Sequence, residues 1–187
     1  MKKTKKIVAL FLAAVMLVCT TVAATVAYLT STTGPVNNTF TVGKVEIDLK
    51  ETDVDEYGTE VTPNPTVTEN EYKLVPGHKY MKDPTIIVKD GSEKCWLFAK
   101  IENGLGTDAT ITMASGWTLV EGKTNIYAYE TAKTAGEKVV VFTDFTFAGT
   151  ANPETYKASA IKITAYAVQA DGFATAAAAW AAAPTWN

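Results

Sequence analysis

A single histidine, His78, stands in the chain, within Pro76-Gly77-His78-Lys79. Catalytic zinc needs three protein ligands and an open fourth position. Here no His-Glu-x-x-His occurs, and no second cysteine stands near Cys95. A serine triad would draw on the same histidine, and no Gly-x-Ser-x-Gly is present. Cysteine catalysis requires an exposed Cys95 beside His78. Cys95 instead alternates with Leu97, Ala99 and Ile101, the pattern of a small buried hydrophobe. Asp53-Val54-Asp55-Glu56-Tyr57-Gly58 opens like a calcium loop, with glycine sixth, but the twelfth position is Asn64 where a bidentate glutamate belongs. An acidic surface loop fits better, with weak calcium binding left open. Trp96, Phe98, Trp117, Tyr127, Tyr129, Phe145 and Phe147 would suit a carbohydrate groove. They suit a sandwich core better, because each buries a large apolar area. The residues therefore predict no enzyme: no catalytic residue, no cofactor and no metal.

The elements that would carry these side chains are strands. Val45, Ile47 and Leu49 alternate with Lys44, Glu46, Asp48 and Lys50, placing one face in a core and one in water. Cys95, Leu97, Ala99 and Ile101 alternate against Trp96, Phe98, Lys100 and Glu102, and Ile161, Ile163, Ala165 and Ala167 against Lys162, Thr164, Tyr166 and Val168. Val67 to Val75 is a weaker run, and Thr85 to Lys89, Thr110 to Met113, Trp117 to Val120 and Asn125 to Glu130 are shorter ones. Val139 to Phe147 is continuous enough for a central strand apolar on both faces. Turn signals separate the runs, as at 103–106, 114–116, 121–123 and 135–137. Eight or more short strands without intervening amphipathic helices predict an all-β antiparallel sandwich or barrel. One helix is expected over Phe173 to Ala183, packed through Phe173 and Trp180 because it is too short to persist alone. Glu46 to Glu71 holds nine of the 20 acidic residues, and 53–70 reads as a long, acidic, Thr/Pro-rich solvated loop.

The N-terminus has another character. Lys2, Lys3, Lys5 and Lys6 precede an apolar run of 12 residues, Ile7 to Val18, and then small residues up to Ala27. That is the order of a secretory signal peptide, and the run is short of the about 20 residues a membrane span needs. Residues 1–27 are thus expected to be removed, leaving 28–187 as one domain, secreted to the extracellular matrix or cell surface without a stable membrane anchor. Val18 before Cys19 makes a poor lipoprotein site. Without the leader the chain carries 13 lysines, no arginine and 20 acidic residues, which argues against nucleic-acid binding. With Cys95 as its one thiol, it forms no internal disulfide.

Thr25 to Thr30, followed by Asn38-Thr39-Phe40-Thr41-Val42-Gly43-Lys44-Val45-Glu46-Ile47-Asp48-Leu49, resembles the start of TasA/camelysin-family proteins. Leu74-Val75-Pro76-Gly77, Lys82-Asp83-Pro84-Thr85, Gly91-Ser92-Glu93 and the stretch from Ala165 to Phe173 are similar to the family as well, so the likeness runs along nearly the whole chain. It implies a jelly-roll-like sandwich, export through a SipW-type signal peptidase with cleavage between Ala27 and Tyr28, and a role as a biofilm-matrix fibre subunit whose partners are copies of itself or related matrix proteins. Some relatives were classed as metallopeptidases, but the ligand set for that is missing here. Segment 53–70 has no counterpart in the resemblance.

A sandwich lacking a strand exposes a sheet edge that a neighbour's strand can complete. Segment 28–42, freed by cleavage, carries Tyr28, Leu29, Val36, Phe40 and Val42 among Thr, Ser and Asn, and is the expected assembly strand. Burying four such side chains contributes roughly 6–12 kcal/mol before ordering costs. The alternative is a monomeric surface module that binds carbohydrate or a host protein.

Overall fold

Strands β5 (Cys95–Asn103) and β11 (Ile161–Gln169) pair antiparallel along their full nine-residue lengths. β8 (Ile126–Tyr129) and β7 (Trp117–Leu119) continue that sheet in the order β11-β5-β8-β7. A second sheet runs β2-β1-β4-β9, from β1 (Ile47–Thr52), β2 (Thr66–Val67), β4 (Thr85–Val88) and β9 (Lys138–Val140). A third joins β3 (Lys79–Met81), β10 (Phe142–Phe147) and β6 (Ala109–Met113) in the order β3-β10-β6. These elements belong to the computed structural model, which describes residues 43–182. The cleavage position Ala27/Tyr28, the assembly-strand residues Tyr28, Leu29, Val36, Phe40 and Val42, and the expected helix end Ala183 lie outside the described residues.

The second and third sheets share one register. Tyr80 faces Phe145, and six residues further along, Ile86 faces Val139, six residues back on the partner. The hydrogen bonds Lys82 N–H to Thr143 O (3.2 Å) and Val141 N–H to Pro84 O (2.8 Å) bridge the gap. Pro84 has no N–H to return, so the Val141 carbonyl accepts from Ala114 instead, at 2.9 Å. The two sheets are thus one layer of an all-β sandwich, facing the β11-β5-β8-β7 layer. The expected single strand over Val139–Phe147 is corrected to two, β9 and β10, divided at Val141 where that proline faces it.

Period two then accounts for the cores. Cys95, Leu97, Ala99 and Ile101 of β5 meet Ile86, Val88, Val139, Val141 and Phe142 between the layers. Tyr80, Leu105, Ala109, Phe145 and Phe147 form a second cluster beneath Tyr72, Leu74 and Tyr156. The other face of β5 presents Trp96 and Phe98, which helix α1 (Ala176–Ala182) covers with Ala179 and Trp180. The Trp180 ring stands 5.1 Å from Phe98, and Trp96 Nε1 donates to the Phe173 carbonyl at 3.1 Å. The helix is shorter than expected and starts at Ala176. The Thr175 hydroxyl accepts from Ala178 N–H at its N-terminus.

Candidate functional site

Among the described residues, no part of β1 is paired on both sides. β4 pairs with Ile47–Lys50, whereas β2 reaches only Glu51 and Thr52. On the same flank of the sandwich, β11 has β5 as its one ladder partner among the described residues. The inward side chains of these two strands, Ile47, Leu49, Ile161, Ile163, Ala165 and Ala167, pack on the core yet stay half-exposed. Their counterparts on β4 and β5 are buried. An open cleft of about 1190 Å³ follows the flank, walled by Leu49 and Glu51 on one side and Tyr156, Ile161 and Ile163 on the other, with Leu105 and Phe145 beneath. Two edges that lack a ladder partner among the described residues, over a half-covered apolar row, can take an added strand, because the ladder groups and the pockets for alternate side chains already exist.

A polar centre lines part of this cleft. Glu51 continues the inward row of Ile47 and Leu49, and Lys82 stands in the inward row of Tyr80, Ile86 and Val88. Both are charged residues in core phase, 5 % and 8 % exposed, and Lys82 Nζ reaches Glu51 Oε2 at 2.6 Å. Asn70, just beyond β2, donates from Nδ2 to Glu51 Oε1 at 3.0 Å and to the Thr52 carbonyl at 2.8 Å. Its Oδ1 accepts from Val54 N–H at 3.0 Å. Asp83 takes the N–H and hydroxyl of Thr52, both at 2.8 Å. Tyr72 donates to the Met81 carbonyl at 2.9 Å, with its ring 5.9 Å from Lys82 Nζ. Burial, aided by the charges of Glu51 and Asp83, pushes that phenol far above its ordinary range, so it remains a donor. Removing one member of the buried ion pair would leave an uncompensated charge, at a cost of about 3–5 kcal/mol.

The residues that stood out in the sequence are dispersed. His78 Nε2–H donates to the Tyr57 carbonyl at 2.9 Å, and its ring lies edge-on to Tyr80 at 4.4 Å. Cys95 is fully buried, and burial pushes its thiol up to about 11. Asp55 Oδ1 accepts from the N–H groups of Tyr57 and Thr59, each at 2.9 Å, which holds its carboxyl below the usual range. That carboxylate closes its own turn. Within 53–70, expected to be all loop, Val54 is buried and bridges to Glu60, and Thr66–Val67 joins the sheet as β2. Trp96, Phe98, Trp117, Phe145 and Phe147 are buried and Tyr127 and Tyr129 half-buried, so these aromatics fill the cores. No cluster of three or more His, Cys, Asp or Glu among the described residues is placed to hold a metal ion. Glu51 and Asn70 belong to no motif, and Lys82 entered only as the first residue of Lys82-Asp83-Pro84-Thr85. The signal that would have found them is a charge occurring in phase with an apolar row.

Comparison with known proteins finds no matching family model, no matching curated protein and no matching solved structure.

Proposed function

We propose that this chain is a secreted structural subunit of extracellular biofilm-matrix fibres, in which segment 28–42 of one copy adds to the β1/β11 flank of the next. The observation that supports this reading is that β1 and β11, on one flank above half-covered Ile47, Leu49, Ile161 and Ile163, have no further ladder partner among the described residues. The donor segment offers apolar residues among short polar ones, as a strand entering a period-two groove requires. Leu29→Asp or Phe40→Asp places a carboxylate in a dry pocket, where the ionised form is very costly.

Electron microscopy of protein beginning at Tyr28 tests the reading. Filaments are expected, and both aspartate variants abolish them. Protein lacking 28–37 stays monomeric and β-rich, and added peptide 28–42 raises its melting temperature without restoring filaments, because the peptide caps each subunit. A protein that stays monomeric at high concentration across pH and ionic strength, and is indifferent to the truncation, would instead be a surface binding module for carbohydrate or a host protein.

A further inference from the structure

We propose that Lys82 and Asn70 join through an intramolecular amide bond, formed with loss of ammonia and promoted by Glu51. Glu51 gathers the two reacting side chains on its one carboxylate. One carboxylate spans both reacting nitrogens, with Oε2 2.6 Å from Lys82 Nζ and Oε1 3.0 Å from Asn70 Nδ2. The amide oxygen, where negative charge develops on attack, already accepts the Val54 N–H at 3.0 Å.

The steps balance without any further reagent. Glu51 Oε2 takes a proton from the Lys82 ammonium and frees the amine lone pair. In this dry site the proton transfer replaces two buried charges with two neutral groups. The amine attacks Asn70 Cγ, and the oxyanion is held by Val54 N–H. The Glu51 carboxyl hands that proton on to Nδ2, and the carboxylate so re-formed receives a second proton from the newly bonded Nζ. The Cγ–Nδ2 bond breaks, the carbonyl re-forms and ammonia leaves, carrying the last proton into water as ammonium. Nζ–Cγ is formed, Cγ–Nδ2 is lost, and Glu51 ends as it began. Fixed orientation supplies the rate advantage that a free amine and amide in water lack. The exclusion of water at Glu51 and Lys82, 5 % and 8 % exposed, protects the product from hydrolysis.

The bond would fasten the far end of the 53–70 excursion to the strand segment leading from β3 into β4. It is independent of fibre assembly and is read on the monomer. Intact mass spectrometry of the purified chain, held folded at neutral pH and then denatured, is the test. The expected mass is lower than that of the sequence by one ammonia, and fragmentation of a protease digest yields a single branched peptide linking Lys82 to Asn70. Lys82→Arg keeps the charge but cannot form the bond, and Glu51→Gln keeps the shape but cannot move the protons. Both are expected at full sequence mass. Native protein at full mass with a β-rich circular dichroism spectrum would overturn the proposal. So would loss of ammonia that persists in Lys82→Arg, which would mean that the amide is lost by another route.

Discussion

The Trp117 indole Nε1 donates to the Val140 carbonyl at 2.9 Å, tying β7 of one layer to β9 of the other. This bond closes the flank of the sandwich opposite the β1/β11 side. Trp117 is buried and packs edge-on to Tyr129 at 5.2 Å. Trp117→Phe keeps most of the ring volume but leaves the Val140 carbonyl without its indole donor, at about 1–3 kcal/mol. Trp117→Ala adds a cavity and is expected to cost about 3–5 kcal/mol. Urea unfolding of the two variants measures both, and equal losses would mean that the packing of the ring contributes nothing beyond the hydrogen bond.

Gly58 has φ +80°, and a Cβ built on it would lie 2.8 Å from the Met81 backbone nitrogen. Gly58→Ala therefore meets a strained conformation and a backbone contact that cannot yield. A loss of about 1–3 kcal/mol is expected from the strain alone. Gly122, also at positive φ but with open space around it, is the control. A smaller loss at Gly58 than at Gly122 would show that the 53–60 turn does not press on β3 in solution.

Glu137 accepts from the Thr134 N–H at 2.7 Å and hydroxyl at 2.8 Å and from Lys133 at 3.2 Å. The Thr134 bonds, more than the lysine, lower its carboxyl to about 2. A depressed folded-state value means that Glu137 contributes stability that is full above the unfolded value near 4.5 and is lost as pH falls toward 2. Glu137→Gln should flatten the stability profile between those limits and leave it parallel above them. Carboxyl NMR titration of the native protein checks the direction, and a midpoint at or above 4.5 would contradict it.

Cys95 is fully buried, with a thiol raised to about 11 by its apolar surroundings. A thiol-specific chromogenic reagent is expected to react with it only after unfolding, at a rate that follows global opening. Rapid labelling of native protein at neutral pH would place Cys95 at a mobile edge rather than in the core between the layers.

Much of the fold was legible because period two needs only neighbouring residues. The alternating rows at 45–49, 95–101 and 161–167 became β1, β5 and β11, with the stated faces inward. Val139–Phe147 was read as one strand because nothing in its own residues marks a break. The break comes from Pro84, on a partner strand distant in sequence. The weak run at Val67–Val75 yields only β2, because beyond it Tyr72 and Leu74 pack on the second cluster outside any ladder and Lys73 N–H bonds to the Glu56 carbonyl. The β1/β11 flank could not be read from composition, since an edge is defined by which strands fail to pair. The polar centre was half legible. Glu51 in phase with Leu49 demands a partner, but identifying it as Lys82 requires the β1/β4 register.

The pairing of β5 with β11 has a consequence for the timing of folding. The longest ladder among the described residues joins residues 95–103 to residues 161–169, so all of β6 to β10 lies between its two strands. A polypeptide emerging N-terminus first, from a ribosome or a translocation pore, cannot close that sheet until Ile161–Gln169 has come through. Until then the inward row of β5 has no strand on one side, and a slow search among distant partners leaves it adhesive. That sheet is committed only after the intervening strands have been made, and whatever shields nascent β5 during that interval governs its yield.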